Sequence, residues 1–582
     1  MPILAALVAL AADDSGEWRS WGRDAGGGRY SRLKQINTAN VTRLRRAWTF
    51  HTGEVKAGER GTPAFEATPL VVHGVLYFNT ASGRVFALEP ETGMKIWEFD
   101  AQPGASPRKA NVSRGVSYWE NGNERRIIYG TYDARLISLD ARNGELRWTV
   151  NLKEGVADGY PDSKYSITSP PAIYRDLVIA GSEVPESPSK GPSGVVRAFN
   201  VRTGKLAWSF EPIQKDTWAE GSSRERTGAN VWSLMSVDAE RGIVYLPVGS
   251  ASYDFWGGDR KGKDLYANSL VALDAATGRV LWHYQMVHHD IWDYDLPAQP
   301  VLFTRDGVPA VAQVTKMGLV FVLNRVTGEP LFPVEERKVF ASDVPGEESW
   351  PTQPVPVKPP PLSRVAITRE DLTTFPQSRE YCQKLFDGLV SHGLYTPYLK
   401  EPTLVLPGTL GGATWSGASY DPALGYLFVN TNETGAVGQI KDGRRWHERG
   451  SYARFWDEND LLCVKPPWGN LTAINMHTGD FAWRSTLGMT EGLGETGAPS
   501  LGGSIVTAGG LVFIAGTMDS RFRAFDSKTG VLLWETKLEA SGHALPMTFV
   551  GRDGKQYVVI AAGGAGYFPT AASDTLSAFA LP

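Results

Sequence analysis

Ala87-Leu88-Glu89-Pro90-Glu91-Thr92-Gly93-Met94-Lys95-Ile96-Trp97 is one copy of a pattern that recurs along the chain. A small and an apolar residue precede Asp, Asn or Glu; three residues intervene before a glycine, and an aromatic stands four positions beyond it. The pattern returns as Ser138-Leu139-Asp140-Ala141-Arg142-Asn143-Gly144-Glu145-Leu146-Arg147-Trp148, and again at 198–208, 272–282, 322–332 (with Phe332 for Trp), 473–483 and 524–534. Each copy reads as a strand, a tight turn whose glycine takes a left-handed backbone, and a second strand. The aromatic can pack between adjacent sheets. The glycines lie 51, 60, 74, 50, 151 and 51 residues apart, and a period near 50 with four short strands per unit is the signature of a β-propeller.

Blade number follows from that spacing. The 151-residue gap contains insertions, and Gly412–Asp421 with Leu427–Asn430 supply the first two strands of the blade that finishes at Trp483. The last segment, Gln556–Ala561 and Leu576–Leu581, lacks its own Gly-x-x-x-Trp strand. Ala47-Trp48-Thr49-Phe50 would supply it and close the ring. The expectation is an all-β, eight-bladed β-propeller with tryptophan-docking motifs: seven motif-bearing blades and one built from both termini, in a single domain over 16–582. Insertions fall at about 333–412 and 433–470. The first carries the proline-rich 351–361 and a predicted helix from Thr368 to Leu389 with Thr368 as N-cap. Each insertion holds one cysteine, Cys382 and Cys463; a bridge between them and two free buried thiols are both open.

Composition sets outer limits. Across 582 residues, 42% hydrophobic and 21% charged content excludes disorder, and 59 basic against 63 acidic residues give no support to nucleic-acid binding. Two cysteines exclude a disulfide-rich scaffold, a cysteine-based zinc cluster and a CxxCH haem attachment. Sixty-three glycines and 19 tryptophans suit many short strands joined by tight turns. Ile3–Ala12 resembles the apolar core of a secretory signal without its positive start, so residues 1–15 read as a truncated signal or a tail. Ten residues are too few to span a bilayer, and no other stretch qualifies as a transmembrane segment. The expected compartment is the periplasm.

The sharpest polar feature is His288-His289-Asp290-Ile291-Trp292-Asp293-Tyr294-Asp295-Leu296-Pro297-Ala298-Gln299-Pro300, directly after the Trp282 strand. Three carboxylates and two imidazoles within eight residues are too polar for a packed strand. Trp232, in Asn230-Val231-Trp232-Ser233, lies outside the Gly-x-x-x-Trp register, and Lys316 follows an apolar strand 23 positions after Asp293.

The repeats and this loop resemble the quinoprotein dehydrogenases, which use pyrroloquinoline quinone (PQQ) on an eight-bladed propeller. The branch it looks like most is the membrane glucose, quinate and polyol dehydrogenase type, whose loop reads HHDxWDxDxPAQP. The likeness covers about residues 17 to 582, including Trp18–Arg23, Tyr30-Ser31 and Gly554–Gly564.

What the resemblance implies is PQQ-dependent oxidation of an alcohol, polyol or sugar, with Ca²⁺ (or Mg²⁺ or a lanthanide) as Lewis acid. Trp232 is the floor beneath the quinone. Glu186, Ser252 and Asp293 are the cation ligands, with Glu183 competing for the first place and the Ser252 hydroxyl a weaker donor than the usual Asn. Asp293 is also the general base, and Lys316 donates to the quinone oxygen. Arg114 faces the acidic side of PQQ, and Glu66, Thr168 and Asn432 are hydrogen-bonding positions. Electrons would pass to a separate cytochrome c or ubiquinone. The chain departs from its relatives in three ways: no adjacent cysteines precede Arg114, Ala565 replaces the histidine of Gly-Gly-His-Gly, and the branch's five membrane spans are missing. The rival reading is a non-catalytic propeller scaffold for protein assembly.

Overall fold

The structure, a computed structural model, describes residues 16–55, 65–105, 110–564, 566, 568 and 570–582. The N-terminal segment 1–15 and Ala565 lie outside the described residues.

The repeat turn shows why its residue types recur. In the copy at 138–148, Asp140 closes the turn twice. Its Oδ1 accepts the Arg142 N–H at 2.9 Å and its carbonyl accepts the Gly144 N–H at 2.9 Å. Asn200, Asp274, Asn324, Asn475 and Asp526 make the same pair of bonds in their own copies. Gly144 has φ +75°, a left-handed conformation that costs a side-chain-bearing residue ~1–2 kcal/mol.

The aromatic residue of every copy but the last lies over the next copy's turn. A Cβ added at Gly144 would meet the Trp97 ring at 2.7 Å, and Trp97 Nε1 donates to the Ala141 carbonyl at 3.2 Å. The relation repeats for Trp48 over Gly93, Trp148 over Gly204, Trp208 over Gly278, Trp282 over Gly328 and Trp483 over Gly530. In each, the indole N–H reaches the carbonyl three residues before the glycine. Phe332 covers Gly479 without an indole donor.

These copies sit in a series of antiparallel sheets with neighbouring strands in chain order. Four-stranded sheets span 70–100, 117–151, 172–210, 236–285 and 418–486, and a three-stranded one spans 301–324. Tyr30–Ser31 adds a parallel edge strand to the sheet at 504–537. The chain's two ends meet in one further sheet, where Arg45–His51 pairs with Ala572–Ala580 and Trp48 stands opposite Ala578. Apolar side chains between successive sheets form the core; one cluster joins Trp48, Phe78, Phe86, Phe522 and Phe579 across three of them.

The helix in the first insertion is shorter than its sequence suggests. Thr368 caps a 3-10 turn, Arg369–Asp371, through a capping box with Asp371. The α-helix runs Pro376–Asp387 with proline in its first turn. Proline disfavours a helical conformation in the residue before it, so Phe375 is extended and the helix cannot start earlier. The insertions are joined by strand pairing, where Thr403–Val405 pairs with Ala436–Lys441, by a bridge between Leu372 and Val464, and by the Cys382–Cys463 disulfide. Both cysteines are buried. Among the described residues, no helix is long and apolar enough to cross a membrane.

Candidate active site

Short strands carry the first polar pair. Phe65–Thr68 and Ser113–Gly115 run parallel, which brings the Arg114 Nε to 3.5 Å from Glu66 Oε2. Both side chains are buried, and no hydrogen bond reaches that oxygen. Burial pushes the Glu66 carboxyl up to about 7, and Arg114 offsets this only in part. The Arg114 guanidinium lies between two indoles, 5.1 Å from Trp232 and 4.6 Å from Trp415. Thr168 ties these groups together: its carbonyl accepts the Arg114 N–H at 3.0 Å, and its hydroxyl donates to the Trp232 carbonyl at 2.9 Å. Trp232 is therefore oriented through its own backbone.

The loop 288–300 is buried throughout, and its polar residues divide the work. Asp290 holds the loop's shape by accepting the N–H groups of Trp292 at 3.0 Å and Tyr294 at 2.8 Å. Trp292 Nε1 donates to the Thr396 carbonyl at 2.8 Å and the Tyr294 hydroxyl to the Pro407 carbonyl at 2.7 Å, so both rings anchor the loop. His289 Nε2 meets Glu347 at 2.8 Å. That leaves Asp293 and Asp295 for the cavity. Asp293 has φ +62°, the left-handed conformation that a side-chain-bearing residue adopts only at a cost, and its N–H donates to the Asp254 carbonyl at 3.2 Å.

Lys316 projects between these carboxylates. Its Nζ donates to Asp293 Oδ1 at 2.6 Å and to Asp295 Oδ2 at 3.0 Å. Burial raises the Asp293 carboxyl well above its usual range; Lys316 opposes the rise, while Asp295, Asp254 and Glu186 add to it. Asp295 moves the other way: burial would raise it, but Lys316 and the Ser250 N–H hold it low.

Glu186, Ser252 and Asp254 form the remaining acidic side. Glu183, the competitor for the first position, is consumed by Lys164, Ser166 and Asn111, each at 2.6 Å. Among the described residues, Glu186 accepts a hydrogen bond only from Tyr452, at 2.7 Å, and its charge is felt by both Asp254 and Asp293. The Ser252 hydroxyl is spent on the Pro185 carbonyl at 2.8 Å. Asp254 is buried, its Oδ1 has no hydrogen-bond partner, and burial with nearby Glu186, Asp295 and Asp290 raises its carboxyl well above the usual range. Among the described residues, no three His, Cys, Asp or Glu side chains already form a chelating group. Crowded carboxylates with an unpartnered buried oxygen nevertheless suit a cation, since a positive ion relieves their mutual repulsion.

One cavity of about 1440 Å³ gathers Glu66, Arg114, Thr168, Trp232, Glu186, Ser252, Asp293 and Lys316, residues drawn from positions 66 to 316 of the sequence. Asn432 does not belong to this lining. It is buried, its Oδ1 accepts the Ser500 N–H at 2.8 Å and its Nδ2 donates to the Ser500 carbonyl at 3.0 Å, so its amide is spent on joining two segments. The sequence reading assigned no role to Asp254, Trp415 or Tyr452, which also line the cavity. Asp254 stands two residues from Ser252 and was within reach of a motif argument. Trp415 falls within the segment 412–421 that reads as a blade strand, and Tyr452 sits in an aperiodic insertion.

The chain matches the family model "PQQ: Glucose/ethanol/alcohol dehydrogenase, beta-propeller domain" over residues 18–558. It is 34% identical to the quinate/shikimate dehydrogenase (quinone) of Acinetobacter baylyi, covering 97% of this chain and 78% of that protein. It is 36% identical to the quinoprotein glucose dehydrogenase of Escherichia coli, covering 97% and 79%. The quinohemoprotein alcohol dehydrogenase of Comamonas testosteroni superposes with a TM-score of 0.73 at 26% identity, over 97% of this chain and 80% of that one. Repeat, cavity and overall similarity agree: this chain belongs to the β-propeller family of PQQ-dependent quinoprotein dehydrogenases.

Proposed function

We propose that this protein oxidises a hydroxyl-bearing substrate, an alcohol, polyol or sugar, with Asp293 as general base. The observation that carries the reading is the buried Asp293–Lys316–Asp295 group, which opens onto a cavity large enough for a cofactor and a small substrate. PQQ, when bound, supplies the two-electron acceptor, and a Ca²⁺ ion (or Mg²⁺ or a lanthanide) supplies Lewis acidity.

The chain's own residues divide the remaining tasks. Trp232 offers a π-face to a planar tricyclic ring. Arg114 supplies positive charge for carboxylates of the cofactor, and Glu66 and Thr168 supply hydrogen-bonding groups beside it. Glu186, Asp254 and Asp293 would hold the cation; Asp254 takes the place that Ser252, with its hydroxyl committed to Pro185, fills poorly. Asp293 accepts the substrate hydroxyl proton at a carboxylate oxygen. Lys316 donates toward negative charge developing on an acceptor oxygen.

The eight sheets read as eight blades, with six indole-over-glycine contacts and Phe332 over Gly479 docking successive blades and both chain ends closing the ring; residues of the insertions at 333–412 and 433–470 help to line the cavity. We assign the protein to the periplasm, with a separate cytochrome c or ubiquinone as electron acceptor. Dye reduction by purified protein with PQQ and Ca²⁺, over alcohols, polyols, aldoses and quinate, tests the reading. Turnover that requires PQQ and disappears in Asp293→Asn supports it; failure to bind PQQ overturns it.

A further inference from the structure

We infer that the substrate of this cavity carries a carboxylate and that Arg445 recognises it; the inference rests on the dehydrogenase reading above. Arg445 belongs to the strand Arg444–Trp446 of the second insertion, lines the cavity and is only 3% exposed. Its guanidinium is caged by three aromatic rings, 4.6 Å from Tyr398, 4.8 Å from Phe255 and 5.6 Å from Tyr452. Nη2 donates to the Val437 and Ala453 carbonyls, each at 3.3 Å. Nε and Nη1 are buried and have no acceptor.

Three other cations that line this cavity each have a carboxylate. Lys316 has Asp293 and Asp295, Arg114 has Glu66, and Lys164 has Glu183. Among the described residues, no carboxylate pairs with Arg445. A guanidinium cannot shed its proton, so an unmatched buried one is costly unless a ligand completes it.

The cage has one exposed wall. Phe255 and Tyr398 are buried, whereas Tyr452 is 49% exposed. Its hydroxyl meets Glu186, so one residue links the guanidinium to the acidic side of the cavity. A hydroxy acid whose hydroxyl lies at Asp293 would direct its carboxylate past Tyr452 toward Arg445, where Nε or Nη1 can donate a charge-assisted hydrogen bond to it. A neutral alcohol or aldose leaves those donors unmatched.

The test uses matched pairs differing only in charge: glycerate with glyceramide, gluconate with gluconamide, and quinate with its primary amide. kcat/KM is measured on the PQQ-loaded enzyme, and Kd by tryptophan fluorescence on the cofactor-free protein. In the natural protein at least one acid exceeds its amide at least tenfold, the difference residing in KM and shrinking with ionic strength. In Arg445→Met the acid-to-amide ratio falls to about one, and Arg445→Lys retains part of it. Equal values for every pair, by both readouts, overturn the inference while leaving the dehydrogenase reading intact. So does an Arg445→Met protein that loses acid and amide equally, which makes the residue purely structural, or one that loses PQQ affinity instead, which makes it a cofactor contact. Failure to bind PQQ in the natural protein overturns both readings.

Discussion

Lys316 Nζ donates to Asp293 Oδ1 at 2.6 Å inside a buried pocket, although the two residues lie on different structural segments and 23 positions apart. The pair places a fixed positive charge beside the residue proposed as base. Asp293→Asn keeps the shape but cannot accept a proton, and kcat should fall roughly 10²- to 10⁴-fold with PQQ affinity changed far less. Steady-state kinetics beside a PQQ titration measures both.

Lys316→Met leaves Asp293 and Asp295 without their shared cation. Breaking a buried charge group by removing one partner costs about 3–5 kcal/mol. The variant should unfold earlier in denaturant, and lowering the pH should recover part of the loss as the orphaned carboxylates take up protons. Urea titrations at two pH values give the answer.

Glu66 predicts a pH dependence of cofactor binding. Its carboxyl, pushed up to about 7 by burial, is largely neutral at pH 6 and ionised at pH 8. A cofactor with three carboxylates meets an added negative charge in the second case, so affinity should weaken across that interval. Glu66→Gln should flatten the profile, as PQQ titrations from pH 6 to 8.5 would show.

His289 predicts a pH dependence of stability. Burial alone would depress its imidazole, but hydrogen bonds to Asp264 and Glu347 outweigh it and raise the ring to about 9. Because the folded value lies above the usual 6.5, the imidazolium stabilises the fold fully below pH 6.5, and the contribution disappears as pH rises toward 9. Its size is of order 1–3 kcal/mol. Melting temperatures from pH 6 to 9.5 should decline more steeply for the natural protein than for His289→Gln.

Gly278 lies beneath Trp208, where an added Cβ would come within 2.6 Å of the indole, and its φ is +73°. Gly278→Ala should therefore cost more than the ~1–2 kcal/mol of the left-handed backbone alone. Calorimetry should show a lowered transition temperature with the dye-reduction KM unaltered.

The disulfide closes a separation of 81 residues across both insertions. In the chain-entropy account, such a loop contributes about 4.5 kcal/mol. Cys382→Ser with Cys463→Ser should lower the stability of the insertions most, read as faster hydrogen exchange in 368–405 and 433–470 than in the propeller sheets.

The sequence by itself determined the repeat. The Asp, Asn or Glu that closes each turn, the left-handed glycine and the aromatic ring above it act within about ten residues of each other or on a fixed neighbour, so the period exposes them directly. It also singled out the loop at 288–300 as a polar segment that a strand could not hold. Three-dimensional packing decided which of that loop's side chains face the cavity: Asp290, Trp292 and Tyr294 are turned to backbone partners, and Asp293 and Asp295 are left for Lys316. It saturated Glu183 with three donors from elsewhere and left Glu186 beside Tyr452. It spent the Asn432 amide on Ser500, away from the cavity lining, and placed Asp254, Trp415 and Tyr452 in that lining. It also moved the start of the helix from Thr368 to Pro376 and joined Cys382 to Cys463. The division has one physical cause. Turn chemistry is local and repeats with the chain, whereas whether a carboxylate is free or already hydrogen-bonded depends on neighbours tens to hundreds of residues away.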